Sequence, residues 1–136
     1  MKIGSLDFPL AHLAIAVNSL TESAPLYQSL GFTLSPPEIL EREHVKAQLA
    51  IKGELHIELL EAYPAGTGPI AKFIEKRGPG LNHIALKTAD LDGDLDRLAK
   101  AGVKLLKGYP AAGLGGTRVA FLDPKTTGGV LIELVA

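Results

Sequence analysis

The 136-residue chain contains no cysteine, which excludes a disulfide framework, a thiolate metal site and a cysteine nucleophile. It also lacks an excess of either charge, with 14 Lys and Arg against 15 Asp and Glu and a formal net charge of -1. Such a chain has no long-range field to draw in nucleic acid or an anionic membrane surface. No apolar run approaches the roughly 20 residues needed to span a bilayer. The opening stretch MKIGSLDFPLAHLAIAV has neither the charged start nor the long apolar core and small-residue cleavage site of a signal peptide, so the expectation is a cytoplasmic protein. What is present, 46% hydrophobic and 21% charged residues, suits one globular domain with its own core and is too short for two. Fifteen Gly and nine Pro are spread along the chain as turn punctuation.

An internal repeat organises the sequence. When His12 is laid over His83, 71 residues on, Leu20 falls on Leu91, Ala24 on Leu95, Tyr27 on Leu98, Gly31 on Gly102 and Phe32 on Val103. Further along, residues 56–60 (HIELL) resemble 131–135 (LIELV) at an offset of 75, as if the second copy had gained four residues, for which Gly113 to Gly116 is the natural place. Each copy opens with a run that fits a strand, residues 11–17 and 82–87. Apolar residues at i, i+4, i+7 then predict an amphipathic helix. Ser19 with Glu22 has capping-box spacing, Asp90 suits the second N-cap, and Gly31 and Gly102 supply left-handed stops. Pro25 removes a backbone donor and is expected to shorten or kink the first helix. Residues 32–62 and 103–135 each hold three extended runs, read as an antiparallel meander. Between the copies, Pro69 to Arg77 predicts a short linker helix closing at Gly78-Pro79-Gly80. The expected fold is α+β: two tandem βαβββ modules (about 8–63 and 80–136, linker helix about 68–78) forming a curved, antiparallel-rich mixed sheet in one domain. Neither module alone buries enough core to be stable.

Side chains alternate faces along a strand. Leu13, Ile15 and Val17 suit the helix side, which leaves His12, Ala14 and Ala16 on the concave side. By the same parity His83 and Ala85 oppose Ile84 and Leu86; His56 and Glu58 oppose Ile57 and Leu59; and Leu131, Glu133 and Val135 oppose Ile132 and Leu134. Two His and two Glu are thus expected to line one cavity. A carboxylate inside an apolar strand costs several kcal/mol unless it is paired, hydrogen-bonded or bound to a cation. A lone His or Glu on a strand is more often part of a satisfied polar pair than a ligand. Four such residues at repeat-equivalent positions instead point to a metal. Imidazole with carboxylate suits Zn, Mn, Fe, Co or Ni better than copper(I). Four protein ligands on a six-coordinate ion leave two neighbouring positions for a substrate chelating through two oxygens. His44 reads as a surface residue, and His56, on the face of Glu58, as a substrate contact.

With His12, Glu58, His83 and Glu133 in paired modules, nearly the whole chain resembles the vicinal oxygen chelate superfamily, which includes glyoxalase I, extradiol dioxygenases, antibiotic-resistance proteins and methylmalonyl-CoA epimerases. Within it, IELLE (57–61), PIAKFIEKRG (69–78), GLNHIA (80–85) and above all PKTTGGVLIEL (124–134) are similar to runs of the epimerases. The resemblance implies a glyoxalase-like fold, one divalent ion (Co, Mn, Zn, Ni or Mg) on the four ligands, an acyl-CoA substrate and a homodimer. It further implies epimerisation through an enolate. Inversion needs a proton removed on one face of the carbon and returned on the other. Glu133, as a ligand able to loosen, is the first acid/base candidate, and Glu41, Glu43 or His56 would have to serve the second face. Gln48 is a substrate-binding candidate beside His56, and Lys125, Arg118 and Lys72 are candidates for the CoA phosphates. The chain departs from the epimerase pattern at Asn82 and Asp123, where the epimerases usually have His, and at Ala47, where some have a glutamate. Two alternatives stand beside this reading: glyoxalase I or another metal isomerase, and a metal-free sequestering protein.

Overall fold

A computed structural model describes residues 2–3 and 6–136; Met1, Gly4 and Ser5, part of the stretch read for a leader, lie outside the described residues. In chain order the elements are β1 (Lys2–Ile3), β2 (Leu6–Asp7), β3 (Leu10–Ala16), α1 (Leu20–Ser29), β4 (Thr33–Leu34), β5 (Glu38–Leu40), β6 (Val45–Lys52) and β7 (Leu55–Ala62). Then come α2 (Gly68–Arg77), β8 (Gly80–Lys87), α3 (Leu91–Lys100), β9 (Ala111–Ala112), β10 (Arg118–Leu122) and β11 (Ile132–Val135). The class is α+β, with parallel and antiparallel pairings. No helix among the described residues is long and apolar enough to cross a membrane. The chain divides into two compact units, residues 12–82 and residues 1–11 with 83–136.

In the 12–82 unit β6 is the centre of the meander. It pairs antiparallel with β7 along its whole length and, on its other edge, with β4 and β5 in succession. Pro36 and Pro37 break the expected single run into those two short strands, since proline cannot donate to a ladder. β3 joins parallel to β7. Ile15, Val17, Ile57, Leu59, Ala50 and Leu34 pack with Leu20, Ala24 and Tyr27 of α1, so the helix covers the face predicted by strand parity. Ser19 accepts the Glu22 N–H at 3.3 Å, and Glu61 Oε1 accepts the Leu20 N–H at 2.8 Å, a second cap on α1 supplied from β7. The helix runs on through Pro25 to the same ten residues as α3. Thr21, which would have accepted the missing Pro25 bond, is exposed to water, as is Pro25. Gly31 takes φ +93° just past the helix end, a left-handed stop. α2 belongs to this unit, with Pro69 in its first turn and Ile70 buried.

The other unit repeats the plan. β8 pairs parallel with β11, β11 antiparallel with β10, and β10 antiparallel with β9. Its first extended run is also broken: Leu105 makes an isolated bridge to Leu122 before Pro110, and β9 follows it. Leu91, Leu95 and Leu98 of α3 pack on Leu86, Ala120, Leu122, Ile132 and Leu134. Phe8 joins this core, and Pro9 accepts the Lys87 N–H at 2.7 Å, which ties the N-terminal segment to this unit. Asp90 caps α3 by accepting the Gly93 N–H at 3.1 Å.

Candidate metal centre

The four candidate ligands form two pairs, one in each unit. In the 12–82 unit Ala14 stands in register with Glu58 across β3 and β7. His12, two residues earlier on the same face of β3, places its Nε2 3.6 Å from Glu58 Oε2. In the other unit Ala85 is in register with Glu133 across β8 and β11, and His83 Nε2 lies 3.1 Å from Glu133 Oε1. The repeat therefore extends from sequence to register: each His stands two residues before the alanine facing its Glu. The loop that shifts the offset from 71 to 75 leaves this relation intact.

Burial gives the pairs their chemical weight. The side chains of His12 and Glu58 are each 12% exposed, and those of His83 and Glu133 are 4% and 9% exposed. Carboxylates so deeply placed need a cationic or hydrogen-bonding partner. A further buried carboxylate, Asp94, is accounted for within its own unit, since Thr88 Oγ1 and Arg97 Nη2 both donate to it. Glu58 and Glu133 each have an imidazole as neighbour. Imidazole nitrogen plus carboxylate oxygen is a donor set that fits a divalent first-row ion. Flanking residues are small: Ala14, Ala16 and Ala85 are fully buried, and Ala47 nearly so.

Phe121 is a part of this centre that the sequence did not reveal. It pairs with Glu133 across β10 and β11, and its ring meets the His83 ring edge-on, with centroids 4.9 Å apart and planes at 88°. The only available signal was the alternation of β10, whose register on β11 could not be counted from sequence.

The remaining candidates are distributed unevenly. His56 is half-buried, pairs with Ile51 and shares the Glu58 face. Gln48 pairs with Leu59 and therefore stands on the helix side, opposite Glu58, where its Nε2 donates to Ser35 O at 2.9 Å. Arg118 alternates with Val119 and Phe121, so it too stands on the helix side, and its guanidinium grips Asp92 through two bonds of 2.9 and 3.0 Å. That bidentate contact holds the Asp92 carboxyl below the usual carboxylate range and raises the Arg118 guanidinium. Lys125, on the turn at Pro124–Thr126, and Lys72, on α2, are exposed. Asp123 caps that turn, its Oδ1 accepting the Lys125 N–H at 3.0 Å. Glu43 is paired with Arg42 at 2.9 Å in the turn before β6, and His44, as expected, is exposed.

Residues 11–121 match the model of the glyoxalase/bleomycin resistance protein/dioxygenase superfamily. The chain belongs to that superfamily. Among its members, the chain is 38% identical over 129 residues to an ethylmalonyl-CoA/methylmalonyl-CoA epimerase of Cereibacter sphaeroides, covering 92% of this chain and 95% of that one. The crystal structure of methylmalonyl-CoA epimerase from Mycobacterium tuberculosis superposes with a TM-score of 0.90 at 36% identity, covering 99% of this chain and 91% of that one. A methylmalonyl-CoA epimerase solved in complex with methylmalonyl-CoA and NH4+ gives 0.86 at 32% identity, with coverage of 94% and 93%. Both the superfamily and its epimerases are those anticipated from the motifs.

Proposed function

We propose that this chain is a metal-dependent epimerase acting on C2 of methylmalonyl-CoA, the carbon between carboxylate and thioester. The observation that carries the reading is the buried His–Glu pair repeated in the same register in both units. It occurs in a superfamily member whose relatives over nearly full length are epimerases of this substrate. In this reading His12, Glu58, His83 and Glu133 together hold one divalent ion. When bound, the ion supplies electrostatic stabilisation for the negative charge that develops on substrate oxygen as C2 loses its proton. Glu133 takes that proton on a carboxylate oxygen and returns it, and Ala85 and Phe121, on the same face, limit competing water. His56 contacts the acyl portion, and Lys125 and Lys72 meet the CoA phosphates. Gln48 and Arg118 have no part, because their faces are turned to the helices. The 136 residues act as a single domain in a cytoplasmic homodimer.

The test is solvent deuterium exchange at C2 of methylmalonyl-CoA, run beside elemental analysis of the purified protein. Exchange with about one metal per complete site is the expected result. Isomerisation of the hemithioacetal of methylglyoxal and glutathione without C2 exchange would transfer the chain to glyoxalase I chemistry.

A further inference from the structure

A histidine serves as a ligand only if its ring is held with the donor nitrogen toward the ion, and groups beyond the ligands themselves usually do the holding. For His83 that group is Phe121, which meets the imidazole edge-on, and what steadies Phe121 lies one step further out in the same unit. The Tyr109 ring stands against the Phe121 ring, with centroids 5.1 Å apart and planes at 69°. Tyr109, Phe121 and His83 thus form a run of three rings, each packed edge-on against the next. The run ends at Glu133, whose Oε1 is 3.1 Å from His83 Nε2.

The backbone explains how Tyr109 reaches this place. Leu105 bridges to Leu122, and the Leu106 N–H donates to Phe121 O at 2.9 Å. β9 then returns to β10, with Ala111 opposite Val119. Between those two anchors the chain has five residues, 106–110, against two on β10, 120 and 121. The surplus forms a bulge that turns at Gly108, where φ is +93°, and bulges of this kind re-aim side chains. Here the bulge brings the Tyr109 ring, half-buried against the core of the unit, onto Phe121. The 12–82 unit is built differently at this point, for the residue across from Glu58 is Leu49.

We propose that Tyr109 is a positioning residue of the metal centre, acting through Phe121 to hold the His83 imidazole in its ligand orientation before any ion arrives; the assignment rests on the metal-dependent reading above. With Tyr109 anchored on the core, Phe121 is held between two rings, and the imidazole it touches loses freedom to swing. Without a ring at position 109, Phe121 gains room and His83 samples more orientations. Ion binding then has to supply the ordering that the protein otherwise has beforehand. The expected cost is a metal affinity weaker by roughly 3- to 10-fold, the scale of one edge-to-face aromatic pair. What position 109 supplies is the ring, so the hydroxyl is dispensable for this role.

The experiment compares the wild-type protein with Tyr109→Leu, which keeps apolar bulk, and Tyr109→Phe, which keeps the ring. Histidine ring protons are followed by NMR in the metal-free protein, with His83→Ala identifying the His83 signals; Co2+ affinity is measured by titration and folding by urea denaturation. In wild type, Overhauser cross-peaks should connect the Phe121 ring to the rings of both Tyr109 and His83. Tyr109→Leu should move the His83 signals and raise the Co2+ Kd roughly 3- to 10-fold, whereas Tyr109→Phe should leave the signals in place and Kd within about twofold. A purely structural role would lower the urea midpoint of Tyr109→Leu while the His83 signals and Kd of the folded protein stayed unchanged, and that result overturns the assignment. So does a Tyr109→Phe protein as impaired as Tyr109→Leu. If Tyr109→Leu does not fold, the wild-type cross-peaks decide: their presence upholds the proposal, and absence of contact from Phe121 to either ring overturns it. A wild-type protein that binds no Co2+ would instead bring down the metal-dependent reading, and the role of Tyr109 with it.

Discussion

The His12–Glu58 and His83–Glu133 pairs stand at equivalent points of two similar units, yet they are packed differently. The first is the looser, at 3.6 Å with both side chains 12% exposed; the second closes to 3.1 Å with exposures of 4% and 9%. Their neighbours explain the contrast. Across from Glu133 stands Phe121, whose ring edge meets His83, whereas the residue across from Glu58 is Leu49. An aromatic wall excludes water from one pair, and an aliphatic one leaves the other more accessible. Equivalent ligands thus begin with unequal environments, and the more enclosed carboxylate is the one to which proton transfer is assigned.

The largest effect should come from making the two carboxylates neutral in turn. Glu133→Gln is expected to lower C2 exchange by roughly 10²- to 10⁴-fold while retaining part of the metal, because an amide oxygen still coordinates. Glu58→Gln, which removes no proton acceptor, should cost less, roughly 10- to 100-fold. Equal losses in exchange rate, with metal content measured on the same samples, would erase the distinction between the pairs.

A smaller difference is expected in stability. In metal-free protein, His83→Ala removes the imidazole 3.1 Å from the buried Glu133 carboxylate and should destabilise by about 3 kcal/mol, whereas His12→Ala, at the longer and wetter pair, should cost about 1 kcal/mol. Urea denaturation of both variants measures the gap, and a larger loss for His12→Ala would reverse the order proposed here.

The smallest effect concerns the Asp92–Arg118 clasp on the helix side. Its hydrogen bond lowers the Asp92 pKa in the folded state, so its contribution is present above the unfolded carboxylate pKa, about pH 4, and fades as pH falls through the lowered folded value. The urea midpoint of Asp92→Asn should therefore lie slightly below wild type near neutrality and merge with it in acid. A difference that widens toward low pH would contradict this sign.

Features set by local rules were legible in the sequence. Ser19 and Asp90 cap their helices, the i, i+4, i+7 stripes face the cores, and the repeat brought each His to its Glu. Less legible were features that depend on which residue lies across a ladder. Gln48 and Arg118 looked available because they are polar, but their faces follow from pairing with Leu59 and Ala112, which local sequence does not encode. The face of Glu38 is equally hidden: Pro36 and Pro37 interrupt the run that holds it, and only pairing with β6 reveals where it stands. Pro25 misled in the other direction, because water at an exposed helix surface can replace the missing bond.

Along β6 and β7, residues contacting the helix side alternate with residues on the carboxylate side. Saturation mutagenesis of these strands should therefore yield two interleaved records. Positions 50, 57 and 59 would report chiefly on how much folded protein accumulates, and positions 47, 56 and 58 on what each folded molecule can do. A chain built this way can acquire a new substrate preference by changes on one side of a strand while its folding is maintained from the other.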